Sequence, residues 1–160
     1  MALQDEEAER RLTQDQRTLG EGVRTLLKRL HVAYAESLEG NSDESWYRFH
    51  IRTPPESTLQ VGIAVVGDVV VFEANGVELR WDLEMWGSNS SQWIAGSLDG
   101  LAAVLENDLR IRLRPTLFGA TVGALWFPGR GGKGTWNGDA TAARGKGREY
   151  AFPRTWYLRE

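Results

Sequence analysis

The sequence predicts an α+β fold: an N-terminal helix packed on an antiparallel β-meander of four to six strands, with a second helix before the last strands. Three observations carry this. Between Leu59 and Trp86, the turn signals Gly67-Asp68 and Asn75-Gly76 divide a stretch rich in Val, Ile, Phe and Trp into three short runs. Upstream, leucines recur at helical spacing. Downstream of a second helical pattern, arginines alternate with aliphatic residues.

The meander is the firmest element. Asn-Gly favours a type I′ turn, because both central residues need φ > 0, and Gly first favours type II′. Two-residue turns then dictate the register. Val66 faces Val69, Ile63 faces Phe72 and Val61 faces Ala74; across the second turn Ala74 faces Val77, Phe72 faces Leu79 and Val70 faces Trp81. Because side chains alternate between faces, one face carries Val61, Ile63, Val65, Val70, Phe72, Ala74, Val77, Leu79, Trp81, Leu83 and Met85, all of them apolar. The other face carries Gln60, Glu73, Glu78, Arg80, Asp82 and Glu84, with Ala64, Val66, Val69 and Val71 at one end. A core under one face follows.

Ahead of the meander, Asp5 to Leu38 reads as helix, with Leu12, Leu19, Leu26 and Ala33 every seven residues and Val23 and Leu30 between them. Thr13 and Gln16 form a capping box, so ordered helix begins near Thr13 and residues 1–12 read as a frayed end. Gly20 and Gly22 each cost about 1 kcal/mol relative to Ala in a helix interior and mark a break. The stripe packs on the sheet; a coiled-coil homodimer through this helix is the alternative. Gly40 to Ser45 reads as a polar linker. Trp46 to Arg52 alternates as a strand ahead of Pro54-Pro55, making the meander four-stranded.

Gly87 to Gly96 reads as a polar loop, and Ser97 as the N-cap of a helix from Leu98 to about Asn107. Leu109 to Arg114 alternates as a strand, with Arg110, Arg112 and Arg114 on one face and Ile111 and Leu113 on the other. Thr121 to Phe127 is a further strand in which Gly119 and Gly123 mark bulges or a close backbone approach. Residues 128–147 read as a Gly-rich basic loop, interrupted by Trp136 and one helical turn capped by Asp139; Tyr150 to Leu158 returns as a last strand. One domain over residues 1–160 is expected. The order helix, strands, helix, strands resembles bacterial secretion-chaperone and toxin-immunity scaffolds at the level of element order alone, with no matching motif.

Composition narrows the function classes. Charged residues make up 26 % and apolar ones 41 %, ordinary for a soluble globular protein, and no apolar run is long enough to span a bilayer. The absence of Cys rules out disulfides, thiolate nucleophiles and Cys-containing metal sites. With an acidic start at Asp5-Glu6-Glu7, a cytoplasmic location and no membrane association are expected. Charge is unevenly spread. Residues 1–108 hold nine Lys/Arg against nineteen Asp/Glu, a net −10, whereas residues 109–160 hold ten against three, a net +7. Such asymmetry marks an interaction surface or simply neutralises within one fold.

No motif matches a named chemistry. Gly129 to Gly134 satisfies Gly-x-Gly-x-x-Gly, but Thr135-Trp136-Asn137-Gly138 does not begin the helix a dinucleotide site requires. His31 and His50 have no ligand spacing around them, so neither a metal nor a cofactor is expected. Glu78, Asp82 and Glu84 share a strand face with Arg80, which reads as a solvated charged face before it reads as acid–base machinery. What stands out is the basic and aromatic half: Arg110, Arg112, Arg114, Arg130, Lys133, Trp136, Arg144, Lys146, Arg148 and Trp156. Arg and Trp together are enriched where proteins bind proteins. The expectation is a non-enzymatic protein-binding module, accessory, immunity- or chaperone-like, engaging an acidic or mixed surface of another protein. Nucleic-acid binding through residues 109–160 is the first alternative. A small enzyme holding an anionic substrate on the Gly-rich loop through Lys133, with Glu78 or His50 as acid–base group, is the second.

Overall fold

In the computed structural model, which describes residues 2–83, 89–128 and 134–154 with side chains from residue 6 onward, the two turns behave as their residues dictate. Gly67 alone has positive φ (+55°) in the first turn, as type II′ requires, while Asn75 (+49°) and Gly76 (+78°) are both positive in the second, as type I′ requires. The strands they join, β3 (Val61–Val66), β4 (Val69–Ala74) and β5 (Val77–Asp82), pair in the predicted register throughout. Val61, Ile63, Val65, Val70, Phe72, Ala74, Val77, Leu79 and Trp81 are all buried on one face. Met85, Glu84 and Trp86 lie outside the described residues.

The meander is larger than predicted. Upstream of β3, β2 (Ser45–Ile51) pairs with it, and β1 (Tyr34–Gly40) pairs with β2, giving a five-stranded antiparallel sheet in chain order. The single helix expected over Asp5–Leu38 is therefore corrected to three elements: α1 (Ala2–Arg10), α2 (Gln14–Arg29) and β1. The residues between Gly40 and Ser45 form the tight connection of the β1–β2 hairpin rather than a linker. Thr13 caps α2 as read: its hydroxyl accepts from Gln16 N, and Gln16 Oε1 accepts from Thr13 N. The amide of the same Gln16 donates to the Ser45 carbonyl at 3.0 Å, tying the cap to β2.

The helix stops at Arg29 for a reason hydrophobic spacing does not contain. His31 takes a left-handed φ of +56°, its N–H donating to the Lys28 carbonyl while Val32 N–H donates to Leu27 O at 2.9 Å. This is a Schellman motif with buried Val32 against Leu27. Gly20 and Gly22 do not break α2. A methyl at Gly20 would lie 2.6 Å from the Tyr47 ring, so the glycine admits the sheet rather than ending the helix. Leu19, Val23, Leu26 and Leu27 are buried in the chain's own core, which occupies the stripe that a coiled-coil dimer would need.

After β5 comes α3 (Ser90–Leu105), which starts about two turns earlier than predicted. Asn89, not Ser97, is its N-cap, accepting from Gln92 N at 3.1 Å, and Ser97 is a fully buried helix residue. A second antiparallel sheet follows from β6 (Leu109–Pro115), β7 (Thr121–Phe127), β8 (Thr135–Gly138) and β9 (Arg148–Phe152), ordered β8-β7-β6-β9. The predicted loop thus holds a strand, β8, and the predicted helical turn, α4 (Ala140–Ala143), with Asp139 as its cap.

One core cluster joins the two sheets, running from Leu19 of α2 through Phe72 and Trp81 to Ile111, Leu125 and Phe152. Trp81 meets Phe127 edge-on, with ring centroids 6.2 Å apart. Gly123 allows the closest approach: a methyl there would sit 2.7 Å from Val77 Cγ2 and 2.6 Å from the Arg112 carbonyl oxygen. The inner face of the second sheet is thereby spent on the core, and its outer face carries the arginines.

Candidate functional site: an arginine–tryptophan ladder

The register places the outer-face residues. Arg110, Arg112 and Arg114 alternate along β6; Arg112 faces Ala124 of β7 and Glu149 of β9, Arg110 faces Ala151 of β9, and Trp126 faces Trp136 across β7 and β8. Four strands therefore bring three guanidinium groups, two indoles and a carboxylate onto one surface.

Side-chain geometry ties them together. The Arg112 guanidinium carbon sits 3.9 Å from the Trp136 ring centroid, while that of Arg110 lies 5.0 Å from Trp126 and 5.3 Å from Trp136. These are cation–π distances, and the two indoles themselves meet at 5.4 Å and 60°. Glu149 accepts from Arg110 Nε and Nη2 at 2.9 and 2.7 Å on one oxygen and from Arg112 Nε at 3.4 Å on the other. Hydrogen bonding from Arg110 outweighs slight desolvation and holds the Glu149 carboxyl below its usual range. At the far end, Arg114 Nε and Nη2 donate to the two oxygens of Asp139, which lowers the Asp139 pKa and raises that of Arg114. Arg112 Nη1 also donates to the Ala143 carbonyl at 3.1 Å, so α4 is docked on the sheet by two arginines.

Of the residues singled out from sequence, Arg110, Arg112, Arg114 and Trp136 come together here. Arg144 ends α4, Lys146 lies in the turn after it, and Arg148 opens β9, where it stacks on Tyr150 with its guanidinium 5.2 Å from the ring. Arg130, Lys133 and Trp156 lie outside the described residues. Sequence reasoning missed Glu149 as the shared clamp and saw Asp139 only as a cap. The signal for both is a carboxylate within a basic segment that has few, but its partner is set by the non-local β6–β9 register.

The other candidates disperse. Glu73 faces Glu78 as predicted, and with Arg48 and Arg80 they border a shallow groove of about 220 Å³ on the first sheet's outer face, floored by Ala64, Val66 and Val71. His50 stands on the same face, 3.9 Å from Glu39. Partial burial raises the Glu39 pKa, but hydrogen bonds from Trp46 and Arg48 overcome this and leave it lowered, so this carboxylate is spoken for as an ion-pair acceptor. Among the described residues, no cluster of three or more His, Asp or Glu suits a metal, and no helix is long and apolar enough to cross a membrane. A cleft of about 180 Å³ lies between Thr58, Asn75 and the inner-face residues Ile111, Leu113, Tyr150 and Phe152, and it carries no ionisable cluster.

Comparison with protein-family models, with curated proteins and with solved structures found no match to this chain.

Proposed function

We propose that the chain is a non-enzymatic protein-binding module, of an accessory, immunity or chaperone kind, working in the cytoplasm. It engages an acidic or mixed surface of another protein through the outer face of the second sheet. The observation that carries this reading is the Arg110–Arg112–Trp126–Trp136 ladder. Arg and Trp dominate binding hot spots because each presents a large, stiff, partly apolar plane with directed hydrogen bonds. Here the planes are already held against one another, so little side-chain freedom is lost on binding. The charge supports an acidic partner: Arg110, Arg112 and Arg114 on this face, with Arg144 and Lys146 at and after the end of α4, outnumber Asp139 and Glu149.

The tagged chain, incubated with lysate of its native host with and without nuclease, tests the reading. A stoichiometric protein that survives nuclease supports it; failure to retain any protein contradicts it.

Nucleic-acid binding is the second reading, favoured by Arg144 and Lys146, which among the described residues have no carboxylate partner. Against it, the three β6 arginines already neutralise Glu149 and Asp139, which leaves fewer charges to displace phosphate counterions. If it holds, affinity falls steeply with salt and nuclease removes the captured material. The enzymatic alternative rests on Lys133 of the Gly-rich loop and is tested by turnover of anionic substrates by the Lys133→Ala chain.

A further inference from the structure

The β6–β7 connection, Thr116 to Ala120, is closed by its own hydrogen bonds. Thr116 N donates to the Ala120 carbonyl at 2.7 Å, Thr116 Oγ1 donates to the same oxygen at 2.9 Å, and Gly119 N donates to Thr116 O at 3.2 Å. Gly119 takes φ +80°, and Pro115 pairs with Thr121 at the base. This ordered turn holds Leu117 and Phe118 at its tip, 100 % and 97 % exposed, and they are the exposed large hydrophobic residues among those described. Isolated apolar side chains on a surface are ordinary, but two adjacent ones projected by a closed hairpin form an anchor with nothing in the fold to anchor to.

A second observation gives the anchor a charge context. Arg148 faces Leu113 across β6–β9, and Gly147 lies against the Leu113 carbonyl and Arg114. Lys146 and Arg148 therefore lie on the β9 side of β6, near the hairpin base, with Arg144 at the end of α4. Among the described residues, neither Arg144 nor Lys146 has a carboxylate partner, in contrast to Arg110, Arg112 and Arg114. The hairpin is also continuous with the ladder, since Arg114 at its base is the residue that holds Asp139.

We infer that the Leu117–Phe118 hairpin tip is the apolar anchor of the interface and inserts into an apolar pocket, rimmed by carboxylates, on the partner protein. The inference rests on the protein-binding reading and names the partner's chemistry. It assigns the binding energy differently from the ladder alone: the arginines and tryptophans, satisfied among themselves, supply shape, while the tip and the unpaired cations supply the new contacts. A lipid surface fits less well. One Leu and one Phe bury less apolar area than a single myristoyl chain, which itself gives only marginal membrane binding.

The test uses the full chain with p-benzoylphenylalanine in place of Phe118, and a second chain with it in place of Ala151, an exposed position beside Arg110 on the ladder face. Each is irradiated in nuclease-treated host lysate, and the cross-linked protein is identified, purified and titrated against wild type, Leu117→Ser/Phe118→Ser and Arg144→Glu/Lys146→Glu. Expected is one protein captured from both positions, with binding weakened about tenfold or more by either double substitution. Unchanged Tm is expected for the tip variant, since the replaced side chains touch nothing in the fold. Capture from position 151 but not 118, or wild-type affinity in the tip variant, overturns the inference and leaves the module reading standing. Capture from neither position overturns both. Cross-linking to a second copy of this chain, or tip-dependent binding to vesicles of phosphatidylcholine with phosphatidylserine, assigns the anchor to a different occupant and overturns the inference.

Discussion

Arg114 holds Asp139 by both carboxylate oxygens, at 2.9 and 3.2 Å, and the Oδ1 atom of the same Asp139 accepts the Ala142 N–H that starts α4. One side chain thus caps a helical turn and fastens it to the sheet. A four-residue helix has no stability of its own, so this dual role keeps it folded. Asp139→Ala is expected to lower Tm and to raise amide exchange at Ala142 and Ala143. Asp139→Asn, which keeps a capping oxygen but loses the charge, is expected to fall between. Hydrogen exchange on both variants checks the order; equal effects of the two would assign the whole contribution to the charge.

Acid should loosen the same surface. Both Asp139 and Glu149 have pKa values lowered in the folded chain, chiefly by hydrogen bonds from Arg114 and Arg110 respectively. The sign follows from linkage: a carboxylate with a depressed folded pKa contributes stability that is full above its unfolded value and is lost as pH falls through its folded value. Stability is expected to fall with acid below the ordinary values of 3.8 and 4.5, and the fall should be smaller in Glu149→Gln. Urea melts at stepped pH measure this. Identical acid dependence in wild type and Glu149→Gln would contradict the assignment.

His31→Gly should stabilise the chain. His31 occupies the left-handed position of the Schellman motif, where an L-residue with a Cβ is strained by roughly 1 kcal/mol and glycine is not. Its side chain is exposed, so little packing is lost. A rise in the urea midpoint with unchanged slope is the expected result.

Gly123→Ala should destabilise. The added methyl meets Val77 Cγ2 and the Arg112 carbonyl at under 3 Å, and overpacking of this kind typically costs about 1–3 kcal/mol. Because the clash joins the sheets, combining it with Val77→Ala should recover part of the loss. Chemical melts of the single and double variants form the cycle that measures this.

The legibility of this fold in its sequence follows the range of the signals. The meander register was readable because Gly67-Asp68 and Asn75-Gly76 each allow one tight turn, and alternation does the rest. Strand β1 was not, because Ala33 continues the seven-residue spacing of Leu12, Leu19 and Leu26 by coincidence. The true stop lies at His31, where a residue other than glycine takes the left-handed turn and so leaves no mark in the sequence. Ser97 looked like a cap only because it precedes an apolar run, whereas Asn89 has the amide of Gln92 to hold. In the site, the alternation of Arg110, Arg112 and Arg114 was visible, but their neutralisation by Glu149 and Asp139 depends on pairing between segments far apart in sequence. The exposure of Leu117 and Phe118 leaves no mark in the sequence, because apolar character carries no record of it.

The most direct measurement of the central claim is hydrogen–deuterium exchange of the full chain with and without the protein recovered from nuclease-treated host lysate. The account predicts new protection concentrated in β6, β7, β8 and β9 and in the Thr116–Ala120 turn, with β1 to β5 unchanged. Protection confined to the outer face of the first sheet around Arg48, Glu73 and Arg80, or to α2, would place the interface elsewhere and contradict it.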